Sequence, residues 1–209
     1  MINYGFIPSK MDGTELEFKE TKIELPNELS YRDYLPTVID QGNRPICVPC
    51  SISSFINWSI NIEDGSVDRD NHIDCEDIYA NRTNESDDGM SFKDALHYIR
   101  HNCVKTNDDC KNAITKYARI GSIMPLKQAL LVNGPCIGGL PVYDTYRTDF
   151  WTKLNGDEFQ GGHAIAIVGY NEEGFIIRNS WGRSYGDNGY AILPYDDFQY
   201  FTELWTMID

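Results

Sequence analysis

Two cysteines three residues apart, Cys47 and Cys50, lie at the end of the stretch DQGNRPICVPC, just before an apolar segment with helical spacing. Such a pair has three chemical uses: a redox dithiol, half of a metal site, or a nucleophile beside a structural thiol. A redox pair is usually placed between a strand and a helix of a βαβ unit. No such pattern surrounds these residues, so the rest of the chain must decide between the other two uses.

A metal site would need two further ligands, and one segment of the chain holds the candidates. These are His97, His101, Cys103 and Cys110. The two histidines are one helical turn apart, but the spacing differs from the tight ligand pairs of structural zinc sites. We therefore expect no catalytic or structural metal, and we interpret this cluster as a solvated helix face followed by ordinary thiols.

A cysteine nucleophile needs a base, a group that orients the base, and donors for an oxyanion. His163 begins a β-like run directly after two glycines, so other backbone can approach its ring closely. Asn179 follows sixteen residues later, at the end of the next β-like run. An amide oxygen that accepts from an imidazole fixes the tautomer and the orientation of the ring. This pattern favours thiol acyl-transfer chemistry.

The elements that must position these residues are helical in the first half of the chain and β-like in the second. Apolar residues at i, i+3, i+4 and i+7 predict a buried helix over about 47–61. Further helices are predicted at 75–83, 90–103 and 124–134, and strands at 135–143, 163–171, 174–181 and 189–195. Ser91 and Asp94 form a capping box, and NEEG at 171–174 predicts a hairpin turn. The fold class is therefore α+β, with a helical lobe against a β lobe.

The domain organisation follows from the change of pattern along the chain. Residues 1–25 mix charge, Gly and Pro, and predict an extended N-terminal arm. Residues 26–209 are interpreted as one catalytic domain. Within it, the helical lobe covers about 46–120, and the β lobe covers about 121–209 together with the approach segment 26–45.

Composition excludes several classes of partner. Lys and Arg number 18 against 32 Asp and Glu, a net charge of −14, which argues against nucleic acid. No stretch approaches the roughly 18 apolar residues of a membrane span. The start lacks the basic and apolar regions of a signal peptide. We therefore expect an intracellular protein, or one packaged in a virus particle, with its six cysteines reduced.

Two segments around the histidine and the asparagine resemble the papain-like cysteine proteases, the peptidase C1 type. They are GGHAIAIVGY and IIRNSWGRSYGDNGYAILPY, in this order and with the sixteen-residue interval that the family uses. The resemblance extends from about Leu25 to Tyr195. It is stronger to bacterial, archaeal and viral members without a pro-domain than to secreted animal and plant members. It implies a helical lobe packed against an antiparallel, β-barrel-like lobe, with the active site in the cleft.

The resemblance also implies which cysteine reacts. The oxyanion-hole glutamine of the family precedes the nucleophile by six positions, and Gln41 stands six residues before Cys47. Cys47 is then the nucleophile, and Cys50 is a core residue. In the family the nucleophile and its histidine form a thiolate–imidazolium pair, with a cysteine pKa of about 3–4. The same pair is expected of Cys47 and His163.

Further roles are implied by the same resemblance. Asn179 orients His163, and Trp181 shields their hydrogen bond from water. The implied substrate-binding residues are Gly89, Met90 and Gly162. The implied activity is hydrolysis of peptide bonds in a polypeptide substrate, without a cofactor. The arm is much shorter than the helical inhibitory pro-regions of the family, so we expect it not to be a conventional inhibitory segment.

Several positions depart from the pattern of the family. The family text Gly-Ser-Cys-Trp around the nucleophile is replaced, a bridging cysteine is missing, and a tryptophan near the asparagine is lost. The departing residues are Arg44, Pro45, Ile46, Val48 and Tyr185. They leave two alternatives open: a papain-fold structural or binding protein without turnover, for instance a virion component, or a thiol amidase that acts on a non-protein amide.

Overall fold

Helices pack against one antiparallel sheet in the residues that the computed structural model describes, which are 4–65, 67–70, 73–84, 88–106, 110–144, 151 and 153–209. The helices are α1 (Cys47–Asp64), α2 (Cys75–Ala80), α3 (Phe92–His101) and α4 (Ile123–Asn133). The strands are β1 (Leu29–Ser30), β2 (Val104–Lys105), β3 (Cys110–Lys111), β4 (Lys116–Arg119), β5 (Cys136–Tyr143), β6 (Phe159–Tyr170), β7 (Gly174–Arg178), β8 (Tyr190–Pro194) and β9 (Glu203–Ile208).

The predicted helices are confirmed, and α1 is the central one. It begins at Cys47, is buried along most of its length, and ends where Gly65 adopts a left-handed φ of 62°. A glycine tolerates this conformation without the steric penalty of a Cβ. The predicted cap of α3 is also present, since the hydroxyl of Ser91 accepts from the N–H of Asp94 at 3.2 Å.

The sheet has the strand order β4-β9-β5-β6-β7-β8, and β1 pairs with the outer part of β6. The NEEG turn joins β6 to β7 as predicted, and the N–H of Asn171 donates to the carbonyl of Gly174 at 3.0 Å. Neither β4 nor β9 was predicted. Their runs are short or interrupted by polar residues, and only the long-range pairing of β4 with β9 and of β9 with β5 makes them strands.

The expectation of a barrel-like lobe is wrong, because the sheet is open. No pairing among the described residues joins the edge strands β4 and β8. The N-terminal arm covers the β4 edge instead. The N–H of Arg119 donates to the carbonyl of Leu16 at 2.7 Å, and the N–H of Phe18 donates to the carbonyl of Arg119 at 2.8 Å. Because the arm pairs with backbone groups at the β4 edge, that edge is protected without a further strand.

The expectation that all six cysteines are reduced is also wrong. Cys103 and Cys110 form a disulfide with a Cα–Cα distance of 5.5 Å. The antiparallel pairing of β2 with β3 brings the two residues together across a hairpin, with Lys105 opposite Cys110. The other four cysteines, Cys47, Cys50, Cys75 and Cys136, are free and buried.

The arm is attached to the domain at several further places. Besides the β4 edge, the ammonium group of Lys93 on α3 contacts the carboxylates of Asp12 at 2.8 Å and Glu15 at 2.7 Å. Further along, Thr21 exchanges two hydrogen bonds with the buried side chain of Gln128, at 2.9 and 2.7 Å. The arm is therefore a docked segment with a defined path.

Gly134, between α4 and β5, joins the helical layer to the sheet and gives a test of the fold. Its φ is +93°, and an added Cβ would lie 2.3 Å from the indole of Trp58 on α1. Gly134→Ala should therefore destabilise the protein by at least about 1 kcal/mol and lower the melting temperature measured by calorimetry. Gly121→Ala is the matched control, because nothing lies within 4 Å of its added Cβ. If the two variants were equally stable, the close packing of Gly134 against Trp58 would be contradicted.

Candidate active site

The imidazole of His163 is oriented by a hydrogen bond to the side chain of Asn179. The Nε2 and Oδ1 atoms are 2.7 Å apart. The antiparallel pairing of β6 with β7 sets this contact, because it places Ala166 opposite Arg178, next to the asparagine in sequence. The backbone N–H of Asn179 in turn donates to the carbonyl of Gly189 at 2.9 Å. Since the amide oxygen accepts, Nε2 carries the ring proton and Nδ1 has a free lone pair.

Cys47 is the first residue of α1 and lies in the same buried cluster as Ala164, the residue after this histidine. The backbone N–H of Ala164, the residue after His163, is within hydrogen-bonding reach of the sulfur. Within the described part of the chain, Nδ1 of His163 has no hydrogen-bond partner of ordinary length and angle. The N–H groups of the first helical turn lack intrahelical acceptors and favour negative charge at this end of α1. The structure thus places the thiol at a helix start, near the strand residue that follows His163.

Gln41 is held rigidly in the segment that leads to α1. Its side-chain Nε2 donates to the carbonyl of Arg44 at 2.8 Å, and its Oε1 accepts from the hydroxyl of Ser180. Its backbone N–H donates to the carbonyl of Ser180 at 2.9 Å. The residues before α1 are therefore joined directly to those after Asn179, and the Gln41 amide is fixed near the start of the helix.

Aromatic rings enclose the imidazole. Trp181 stacks on His163 with centroids 4.6 Å apart and planes 28° apart. Trp151 lies parallel to the ring at 5.9 Å and also contacts Trp181 at 5.7 Å. Tyr185 stands perpendicular to Trp181 at 5.2 Å, so it buttresses the shield in place of the tryptophan of the family. Trp151 was missed by the sequence analysis, because it lies between β5 and β6 outside any periodic pattern.

The N-terminal arm covers the remaining side of the histidine. The ring of Tyr4 lies 6.0 Å from that of His163 and 5.8 Å from that of Trp181. Phe6 is buried beside Phe92 at 5.1 Å. An added Cβ at Gly139 would lie only 2.2 Å from the Phe6 ring, so a glycine is needed there to make room for it.

The arm backbone is hydrogen-bonded to two of the three predicted substrate-binding residues. Met90 donates to the carbonyl of Gly5 at 2.8 Å and accepts from the N–H of Ile7 at 3.1 Å, and the N–H of Phe6 points to the carbonyl of Gly162 at 3.4 Å. Gly89 makes no such bond. Its N–H donates to the hydroxyl of Tyr79 at 3.0 Å, and its added Cβ would lie 2.8 Å from the oxygen of Gly5.

Burial determines the protonation of the two reactive groups. It raises the pKa of the Cys47 thiol to about 12 and lowers the pKa of His163 to about 4, although the Asn179 hydrogen bond and the Tyr4 backbone oppose the latter change. Both shifts favour the neutral forms at pH 7. Desolvation of both charges therefore opposes the expected thiolate–imidazolium pair while the arm is docked.

The other candidates lie apart from this site. The rings of His97 and His101 on α3 lie against each other with centroids 4.4 Å apart. Cys103 and Cys110 are bonded to each other in a disulfide. The described residues contain no cluster of three or more His, Cys, Asp or Glu side chains arranged for a metal ion. None of the described helices combines the length and the apolar character needed to cross a bilayer.

Comparison with known proteins agrees with this geometry. The model of the papain family of cysteine proteases matches residues 25–199. An uncharacterized peptidase C1-like protein of Acanthamoeba polyphaga mimivirus is 29% identical over 190 residues, covering 81% of this chain and 60% of that protein. Cathepsin K of Mus musculus is 25% identical over 201 residues, with the same two coverages. The chain thus spans about 60% of the length of these two relatives.

Two solved structures show the fold. Xylellain, a cysteine protease from Xylella fastidiosa, has a TM-score of 0.83 at 24% identity, covering 99% of this chain and 96% of that chain. Digestive procathepsin L 3 of the Tenebrio molitor larval midgut has a TM-score of 0.76 at 15% identity, covering 100% and 77%. The predicted papain-like fold is confirmed.

The burial of Cys47 predicts how the intact chain reacts with alkylating agents. At pH 5 iodoacetamide should label Cys47 slowly, since the thiol is neutral and covered by the arm. Phe6→Ala should weaken docking of the arm and accelerate this labelling by at least about tenfold, because thiolate forms once water enters. Leu16→Ala is the control, since that arm side chain is 60% exposed outside the cleft. Peptide mapping by mass spectrometry identifies the site, and equal rates in both variants would contradict this account.

Proposed function

Because the chain belongs to the papain family of cysteine proteases, we propose that it is a cysteine peptidase whose N-terminal arm closes the active site. The observation that carries the proposal is the hydrogen bond from His163 Nε2 to Asn179, with Cys47 at the start of α1 near Ala164, the residue after the histidine. That arrangement is the one required for a base that activates a cysteine nucleophile. Without the hydrogen bond to Asn179, the His163 ring would lack a fixed tautomer.

The proposed reaction proceeds by acyl transfer once the arm has left. His163 takes the proton of Cys47, and the thiolate attacks the carbonyl carbon of the substrate. The Gln41 amide and the Cys47 backbone N–H receive the oxyanion, each donor contributing about 3–4 kcal/mol in comparable sites. His163 then protonates the leaving amine. Water activated by the same ring hydrolyses the thioester and restores the thiol.

The contacts of the arm support its role as an occupant of the substrate site. Its backbone bonds to Met90 and Gly162, and Phe6 fills the adjoining pocket. An attached segment has a high effective concentration, so it competes strongly with free substrates. The sequence predicted that the arm is not a conventional inhibitory pro-region, and these contacts favour a short segment that nevertheless occupies the cleft. Because the bound segment is itself a polypeptide, they also favour a peptide substrate over a non-protein amide.

Substitution of the two cysteines tests the proposed function. In the Phe6→Ala background, Cys47→Ala should abolish the cleavage of an unfolded protein such as denatured casein. Cys50→Ala should preserve the cleavage and cost only packing energy, on the order of 1 kcal/mol, because Cys50 is buried. Cleavage is measured by mass spectrometry of the peptide products.

The control is the melting temperature of each variant, which shows that loss of cleavage is not loss of fold. Cleavage that survives Cys47→Ala would overturn the assignment of the nucleophile. If folded Phe6→Ala protein labels rapidly at Cys47 and yet cuts no unfolded substrate, the papain-fold binding protein becomes the better interpretation.

The histidine makes docking of the arm sensitive to pH. The pKa of His163 is about 4 under the arm against an ordinary value of 6.5, so the docked state binds fewer protons between these values. Docking should therefore weaken by about tenfold per unit as the pH falls from 6.5 towards 4. Glu15, whose pKa is lowered to about 2 by its hydrogen bond to Lys93, stays largely ionised over this window and adds little to the change.

The docked population can be measured by ¹⁹F NMR of fluorinated phenylalanine, following the signal of Phe6 across this pH range. His163→Ala is the matched variant, and in it the acid dependence between pH 6.5 and 4 should disappear. A docked fraction in the intact chain that does not change over this range would contradict the predicted linkage.

A further inference from the structure

The second cysteine of the CxxC pair points into a different part of the protein from the first. Cys47 belongs to the main core cluster together with Ala164 of β6. Cys50, one turn later, lies in a separate small cluster with Ile46 and with Cys75 at the start of α2. The two cysteines of the motif therefore face different neighbours, and the thiol partner of Cys50 is on another helix.

We propose that Cys50 and Cys75 form a redox-sensitive thiol pair, which closes to a disulfide between α1 and α2 and leaves the nucleophile untouched. This inference does not depend on the proposed peptidase activity. It assigns a modification site to a residue that the sequence analysis interpreted only as core.

The geometry of the pair supports this assignment. Both cysteines are free, and each is more than nine-tenths buried, with 4% and 8% of its surface exposed. Both lie in one small buried cluster, and the Cys75 side chain is close enough to contribute most to the raised pKa of Cys50. Packing in one cluster across two helices is the arrangement from which a disulfide can close. Cys136, the remaining free thiol, instead contacts the carbonyl of Gly134 at 3.7 Å.

A disulfide between Cys50 and Cys75 would restrain the segment that carries Cys47, the proposed nucleophile. Arg44, just before α1, already forms an ion pair with Glu76, the residue after Cys75. Arg44 stands where family members often have a bridging cysteine. The ion pair is about half exposed on both sides and thus contributes little by itself. A Cys50–Cys75 disulfide would join the same two parts of the chain covalently.

The chemistry is thiol–disulfide exchange with a small disulfide such as oxidised glutathione. One protein thiolate attacks the disulfide and releases one reduced glutathione. The second protein thiolate then attacks the mixed disulfide, forms the Cys50–Cys75 bond and releases the second glutathione. Two thiols lose two protons and two electrons, and the oxidised glutathione takes up both. The neighbouring Cys75 side chain and burial disfavour the thiolate of Cys50, so the exchange should take hours.

The test is equilibration of the full-length protein in glutathione buffers from fully reduced to fully oxidised, followed by alkylation and peptide mapping. We expect a peptide pair linked through Cys50 and Cys75, and a melting temperature higher by on the order of 5–10 °C. Cys75→Ala should lose both effects. Cys136→Ala should retain both, since that thiol has no thiol neighbour in its described surroundings. The Cys103–Cys110 bond in the same digest reports that oxidation occurred.

Two results would overturn the proposal: both thiols alkylated at the most oxidising ratio, or Cys50 linked to Cys47. If Cys75→Ala fails to fold, Cys50→Ala tests the same bond from its other end. None of these measurements uses peptide cleavage. An inactive protein with a Cys50–Cys75 bond would therefore refute the proposed function alone, and an active protein without the bond would refute this inference alone.

Discussion

The hydrogen bond between His163 and Asn179 is the contact on which the site depends. It fixes the proton on Nε2 and leaves Nδ1 as the nitrogen that, in the proposed reaction, accepts the proton of Cys47. Other features of the fold serve this contact. The β6–β7 register supplies its two residues, and Trp181 covers its ring. Ser180 reaches back to Gln41, so the orienting amide and the oxyanion donor belong to one hydrogen-bonded unit.

Desolvation is the constraint that opposes this site. An imidazole enclosed by Trp151, Trp181 and the arm residue Tyr4 cannot hold a charge as readily as one in water, and neither can the covered thiol. The docked arm therefore acts in two ways. In the proposed function it fills the place of a substrate backbone, and it excludes the water that a thiolate–imidazolium pair requires. Release of the arm would reverse both effects at once, which couples access to the site with ionisation of its nucleophile.

The chemistry could be predicted from sequence because it depends on local spacing. The interval from Gln41 to Cys47 and that from His163 to Asn179 identify the four groups, and the apolar period of α1 places the nucleophile at a helix start. The structure shows the contact of His163 with Asn179, 2.7 Å between Nε2 and Oδ1, and places Cys47 at the start of α1. The choice of Cys47 over Cys50 as nucleophile, made from the interval to Gln41, stays a prediction, and Cys50 lies in a separate buried cluster.

The rest could not be predicted, because it depends on contacts between distant parts of the chain. Tyr4 and Phe6 lie in a polar, aperiodic segment, and their positions depend on the room that Gly161 leaves for Tyr4 and Gly139 leaves for Phe6. The Cys103–Cys110 disulfide follows from a hairpin of two-residue strands, which is too short to give a pattern. The expectation that all six cysteines are reduced failed there, since composition is a weak guide to a single pair of cysteines.

The measurement that tests the central claim most directly is ¹⁵N NMR of the His163 ring in the intact chain. The ring nitrogen shifts report both the charge and the tautomer. The structure predicts a neutral ring at pH 7 with its proton on Nε2, titrating near pH 4. A ring that is already an imidazolium at pH 7, or a neutral ring with its proton on Nδ1, would contradict the account.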